Sequence, residues 1–210
     1  TTGIIATHVY GIPCDIDSID KIARKYNLRV IYDAAHCFGV EYKGKPISSY
    51  GDISTFSFHA TKLFQTIEGG AIIVNNQDYA QKVSYMRNFG HNGQEAFFGV
   101  GINGKNSEFH AAMGLCNLPK VEDIIKERRI ISEKYTDLLI NNSGVDRPLV
   151  RENTKYNYSY YPILLKDEET LLSVSRALNS HNIYPRRYFH PSLSELNYVH
   201  DTGTHIAKNA

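Results

Sequence analysis

Apolar positions change period along this chain, and the changes mark its elements. Residues 1–11, TTGIIATHVYG, form a short apolar run closed by the turn GIP, the pattern of a buried strand. Ile16, Ile19, Ile22, Ala23 and Tyr26 then recur at helical spacing, which predicts a helix with Asn27 as its stop. LRVIYDAA, residues 28–35, reads as a second buried strand. Strand, helix and strand within about thirty residues make a βαβ unit, which calls for a parallel sheet with covering helices. After the turn KGKP, the runs ISTFSF and AIIV predict two more strands, and DYAQKVSYMRNFG predicts a helix that Gly90 can end. From Ser107 to about Tyr135 the spacing is mostly helical, with Pro119 marking a break or a new first turn. RPLVRENTKYN is polar and irregular, a boundary. Beyond it YSYYPILL reads as a strand, DEETLLSVSRALNSHN as a helix opened by acidic residues, and the closing HIAKNA as the beginning of a further helix.

Composition narrows the class. With 42% hydrophobic and 21% charged residues in 210, the chain has an ordinary globular composition and can bury a core as one large or two small domains. The 23 basic and 22 acidic residues are mixed along it, so no polybasic stripe points to nucleic acid or an anionic membrane. The expected partner is a small molecule or another protein. Cys14, Cys37 and Cys116 are odd in number and lack CxxC spacing, so they read as reduced, small, buried apolar residues. The first residues lack the basic start and apolar core of a signal peptide, and no apolar run approaches the roughly 18 residues of a membrane helix. A soluble, cytoplasmic protein is expected. The chain opens without methionine, directly in a strand-like run, which reads as an excerpt of a longer polypeptide.

In an open α/β sheet ligands collect beyond the carboxyl ends of the strands, so residues just after a strand come first as candidates. Asp33 follows the apolar VIY, where a carboxylate is costly to desolvate unless it meets a cation or a donor. It also suits a turn or a helix cap. Lys62 stands alone among Phe58, Ala60, Leu63 and Phe64. Partial desolvation there favours the neutral amine, the nucleophile that condenses with an aldehyde, although most lysines are simply exposed. Ser57, with Ser54, Thr55 and Thr61, offers hydroxyls for a phosphate or merely lines a strand edge. Glu68-Gly69-Gly70 gives a tight turn whose glycines let backbone pass close to a ligand, or only join two strands. A carboxylate at one strand end, a hydroxyl-rich strand end and a half-buried lysine are what pyridoxal 5′-phosphate (PLP) requires. The chain has no G-x-G-x-x-G, P-loop or H-E-x-x-H motif, and His8, His36, His59, His91 and His110 fall on separate elements, so no metal is expected.

At these residues the chain resembles the fold-type I, PLP-dependent sugar aminotransferases of the DegT/DnrJ/EryC1/StrS family. The stretches that carry the resemblance are HVYGIPCDIDSI, VIYDAAHCFGVEYKGKPISSYGDISTFSFHATKLFQTIEGGAIIV, MRNFGHNG and GINGKNSEFHAAMGL, in the family's order and over nearly the whole chain. The resemblance implies an α/β fold: a large domain with a mostly parallel sheet and covering helices over 1–118, then a connecting helix and part of a small α+β domain over 119–210. It implies Lys62 as the Schiff-base lysine, Asp33 on the pyridinium nitrogen, Ser57 on the phosphate, and His36 beside the ring where many relatives carry glutamine. Asn103 would reach the phosphate of a neighbouring subunit's cofactor, making a homodimer with shared active sites. The residues after it, Gly-Lys-Asn, depart from the aromatic and Arg-Met that relatives often have. His59 and Glu68 would lie near substrate. In NIYPRRYFHPSL, Arg186 and Arg187 flanked by Tyr184, Tyr188 and Phe189 suit a diphosphate and a stacked base, or an exposed basic pair. The implied reaction takes an amino group from glutamate to a nucleotide-linked keto-deoxysugar, dTDP-4-keto-6-deoxyhexose before 3-keto or UDP-linked relatives. The family's dehydratase branch replaces the lysine by histidine, so Lys62 argues against it. The alternative is a truncated or non-catalytic homologue that keeps the fold without PLP.

Overall fold

The computed structural model describes residues 1–198 and divides them into two compact units, one spanning Thr1–Ile163 and one from Leu164 onward. The first unit opens with the expected βαβ motif. Strand β1 (Gly3–Thr7) leads through the turn at 9–11 to helix α1 (Ile16–Tyr26), then to β2 (Arg29–Asp33). Local chemistry sets the helix ends. Asp15 Oδ1 accepts the Ser18 N–H at 3.2 Å, and Asn27 takes the left-handed conformation (φ 50°) with its N–H on the Ala23 and Arg24 carbonyls. Ile16 and Ala23 on the inner face join Val30, Tyr32, Ala34 and Ile47 in the main core.

Strands β5 (Ile53–Ser57) and β6 (Gly70–Val74) complete a four-stranded sheet of order β1-β2-β5-β6. β1, β2 and β5 are parallel, with Thr7 beside Asp33 and Asp33 beside Thr55, while β6 returns antiparallel with Gly70 opposite Ser57. The three parallel strands therefore end on one edge, which brings Asp33 and Ser57 to the same end of the sheet. A smaller sheet stitches distant segments together. The hairpin of β3 (Glu41–Tyr42) and β4 (Lys45–Pro46) turns at Lys43 and Gly44, both at positive φ, and β3 also pairs with β7 (Thr154–Lys155). Helices α2 (Gln77–Arg87), α3 (Glu108–Asn117) and α4 (Val121–Leu139) follow the expected pattern. The break at Pro119 is a single 3₁₀ turn, Leu118–Lys120. Leu63 and Phe64 are buried with Val121 and Ile125, a second core cluster that joins the segment after β5 to α4. In the second unit, α5 (Glu168–Asn179) begins as expected at Asp167, whose side chain accepts the Thr170 N–H at 2.8 Å.

Four expectations change. The run 1–11 is not a buried strand throughout: β1 lies at the sheet edge, and Ile5 is 76% exposed. YSYYPILL forms no strand. Tyr158 has φ 53°, Pro162 has no N–H to give a ladder, and the Ser159 carbonyl accepts from Arg128 of α4 at 2.9 Å. Among the cysteines only Cys37 is buried; Cys14 is half-buried and Cys116 exposed, and all three are free. The helix stops at Arg87 ahead of Gly90, whose N–H reaches back to the Tyr85 carbonyl at 2.8 Å. HIAKNA lies outside the described residues. Among the described residues no helix is long and apolar enough to cross a membrane.

Candidate active site

Asp33 is the last residue of β2, half-buried, and its Oδ1 accepts the Ala35 N–H at 3.0 Å, which turns the carboxylate over the strand end. His36 follows in the same turn. Its Nδ1 accepts the Tyr10 N–H at 3.0 Å, so the ring proton of the neutral form sits on Nε2. Burial, reinforced by the positive charge of Lys62 and opposed by Asp33, lowers the His36 pKa to about 4. His36 is therefore a neutral donor near pH 7. Ser57 ends β5, and its Oγ accepts a long 3.4 Å bond from the His59 N–H.

Lys62 stands in the loop between β5 and β6, half-buried, with its N–H on the His59 carbonyl at 2.9 Å. The two residues after it anchor that loop: Leu63 and Phe64 are buried, and Phe64 stacks on Phe38 with centroids 4.3 Å apart. Lys62, His36, Ser57, Thr61, Ser159 and Tyr160 line one small cleft. The glycine pair has a backbone reason. A Cβ on Gly70 would stand 2.6 Å from the Phe56 carbonyl oxygen, so glycine is what lets β6 pair with β5 there.

Sequence reasoning missed the far wall of the cleft. Tyr160 packs against the His36 ring with centroids 4.7 Å apart, and the Tyr156 hydroxyl donates to the Tyr10 carbonyl at 2.9 Å. Asn157, fully buried, donates to the His36 and Phe38 carbonyls at 2.9 Å each and accepts the Ser159 N–H at 3.1 Å. Gly11 passes so close that a Cβ would meet Asn157 Oδ1 at 2.8 Å and the His36 carbonyl at 2.9 Å; with φ 82° it is a position made for glycine. No motif announces these residues. The cue available in the sequence was the density of tyrosines in KYNYSYY, which reads equally as a strand.

The remaining candidates are placed differently. His59 and Glu68 meet at the surface of the Lys62 loop, Nε2 to Oε1 at 3.7 Å, with Nδ1 bound to Thr61 Oγ1 at 2.8 Å. Asn103 is exposed, and its Oδ1 accepts from Lys105 Nζ at 2.6 Å, with that ammonium 4.1 Å over the Phe89 ring. In the second unit, Arg187 pairs with Glu168 at 2.8 Å and Arg186 lies over the Tyr188 ring at 4.9 Å. Among the described residues no group of three or more His, Cys, Asp or Glu side chains could hold a metal ion.

A carboxylate, a neutral imidazole, a hydroxyl and an amine at the carboxyl ends of parallel strands fit PLP by their donor chemistry. The α/β fold is that of solved sugar aminotransferases: DesI, solved with its TDP-sugar product, superposes with a TM-score of 0.85 at 33% identity over 94% of this chain and 51% of that one. The chain belongs to the DegT/DnrJ/EryC1/StrS aminotransferase family, whose model matches residues 1–210. Among curated relatives, a dTDP-4-amino-4,6-dideoxy-D-glucose transaminase of Shigella dysenteriae is 39% identical over 93% of this chain and 54% of its own length. A GDP-perosamine synthase of Caulobacter vibrioides is 33% identical over 95% of this chain and 55% of its own length. The chain thus spans about half the length of the curated relatives it matches.

Proposed function

We propose that this protein is a PLP-dependent aminotransferase that moves an amino group from glutamate to a nucleotide-linked keto-deoxysugar. The first candidate substrate is dTDP-4-keto-6-deoxyhexose, yielding a dTDP-4-amino-4,6-dideoxy sugar for glycan biosynthesis in the cytoplasm. The observation that carries this reading is the convergence of Asp33, His36, Ser57 and Lys62 at one end of the parallel strands. The transaminase name of the 39% identical relative supports the substrate class.

When bound, PLP supplies an electron sink for the carbon that loses a proton. Asp33 would face its ring nitrogen and favour the positive form there. His36, whose Nδ1 accepts the Tyr10 N–H, keeps its Nε2–H as a donor and would offer it to the ring hydroxyl. Ser57 offers its hydroxyl to the phosphate, and Asn103 would do so for the cofactor of a second copy in a homodimer. Lys62 would hold the cofactor through its amine, and the same amine, once free, would serve as the general base and acid for the proton that the chemistry moves. His59 and Glu68 are assigned to substrate beside Lys62, and Arg186, Arg187 and Tyr188 to the nucleotide diphosphate. We assign 1–118 to the large PLP-binding domain and 119–210 to the connecting helix and small domain.

Absorbance after adding PLP to the chain and to Lys62→Ala tests the reading. The expected result is a visible band that only the parent shows, followed by amino transfer from glutamate to dTDP-keto-sugars. The half-length match to relatives favours a second reading, a stretch that keeps the fold as a structural piece; flat spectra from both chains would support that one and sink the first.

A further inference from the structure

His8 is a buried titratable group that the proposed chemistry does not use. It follows β1 directly, and its backbone N–H donates to the Asp33 carbonyl at 3.0 Å. The imidazole is 0% exposed and stacks on Tyr32, the residue before Asp33, with centroids 4.6 Å apart and planes 20° from parallel. Its Nδ1 accepts the Cys14 N–H at 3.1 Å, so the proton of the neutral ring sits on Nε2. That Nε2–H meets no acceptor among the described residues. Buried donors are almost always satisfied, by protein or by an ordered water with two or more polar partners. The carboxylate whose charge acts on this ring is Asp33. Asp33 Oδ1 is taken by the Ala35 N–H, which leaves Oδ2 to accept.

We propose that His8 is a positioning residue for Asp33: its Nε2–H reaches Oδ2 through one ordered water and holds the carboxylate aimed at the ring nitrogen of bound PLP. The inference rests on the cofactor reading above. Burial also keeps His8 uncharged, its pKa lowered to about 4 by desolvation against the opposing pull of Asp33. It therefore steers the carboxylate by a directed N–H and leaves Asp33 as the negative partner of the pyridinium.

The test compares His8→Gln, which keeps an N–H donor near Nε2, with His8→Phe, which keeps the stack on Tyr32 and removes the donor. PLP labelled with ¹⁵N in its ring is added to each, and affinity and the ring-nitrogen shift are read. Parent and His8→Gln should share a pyridinium-type shift and similar affinity. His8→Phe should move toward the neutral-pyridine shift and bind about tenfold more weakly, the size of one hydrogen bond to a charged group. Identical shifts and affinities in parent and His8→Phe overturn the proposal alone; a parent that takes up no PLP overturns the cofactor reading together with it. Should His8→Phe not fold, imidazole ¹H–¹⁵N spectra of the folded parent decide. The proposal requires an Nε2–H tautomer whose resonance moves in Asp33→Asn, and an Nδ1–H tautomer or an unmoved resonance overturns it.

Discussion

Asn157 holds the cleft together without lining it. Its amide ties the carbonyls of His36 and Phe38 to the segment that carries Ser159 and Tyr160. Asn157→Leu keeps the volume but strands the Phe38 carbonyl and the Ser159 N–H, and leaves the His36 carbonyl only a long bond from Ser159 Oγ, so the expected loss is about 2–6 kcal/mol, at roughly 1–3 kcal/mol for each of the two unsatisfied groups. Urea unfolding measures it, and a loss well below 1 kcal/mol would show that the clamp is dispensable. Asp33 and Ser57 could be named from the sequence because each lies at a strand end, where an α/β sheet puts its chemistry, Lys62 because it is a lone amine among apolar residues, and His36 only through the family resemblance. Tyr10, Asn157 and Tyr160 were not, because their partners lie far along the chain and no local period encodes a contact of that range. His8 could be named as a histidine, but its complete burial beside Tyr32 depends on how β1 and β2 align.

Among the elements, α1 shows how far local rules reach. Its apolar spacing and its Asn27 stop stand in the sequence and hold in the structure, which adds the Asp15 cap. Asn27 is in the left-handed region, which a β-carbon disfavours by about 1–2 kcal/mol unless the side chain is Asn or Asp. Asn27→Ala should accordingly lower stability by about 1 kcal/mol while Asn27→Gly changes it little, a contrast that paired thermal melts would reveal or refute. The stretch 158–165 shows where local rules stop. Its alternating aromatics satisfy the strand pattern, yet the Arg128 bond to the Ser159 carbonyl and the turn at Tyr158 keep it from forming a strand. Both competitors are tertiary or conformational, so side-chain alternation carries no trace of them. The edge position of β1 is equally invisible locally, since a strand's neighbours are set by the order β1-β2-β5-β6.

The whole molecule should respond to acid through two neutral imidazoles, His8 buried and His36 half-buried. His8 and His36 both have pKa values lowered to about 4 from the ordinary 6.5. Between those values the unfolded chain binds protons that the folded chain refuses, so stability rises with pH there and is lost as pH falls from about 6.5 toward 4. Chemical denaturation midpoints at pH 7 and pH 5 should therefore separate, and His36→Gln should narrow the gap; equal slopes in parent and variant would remove His36 from the account. The same molecule also has an order of assembly written into it. The Asn157 amide and the His36 carbonyl are 121 residues apart in the chain. Closing a loop of that length costs about 4 kcal/mol of chain entropy beyond a constant, and nothing local repays it early. On a ribosome, the segment that bears Asp33, Ser57 and Lys62 emerges long before the tyrosine-rich wall that finishes the cleft. Nascent chains stopped short of Thr154 would carry the chemical groups but not the chamber, and ligand capture would begin only when that last wall arrives.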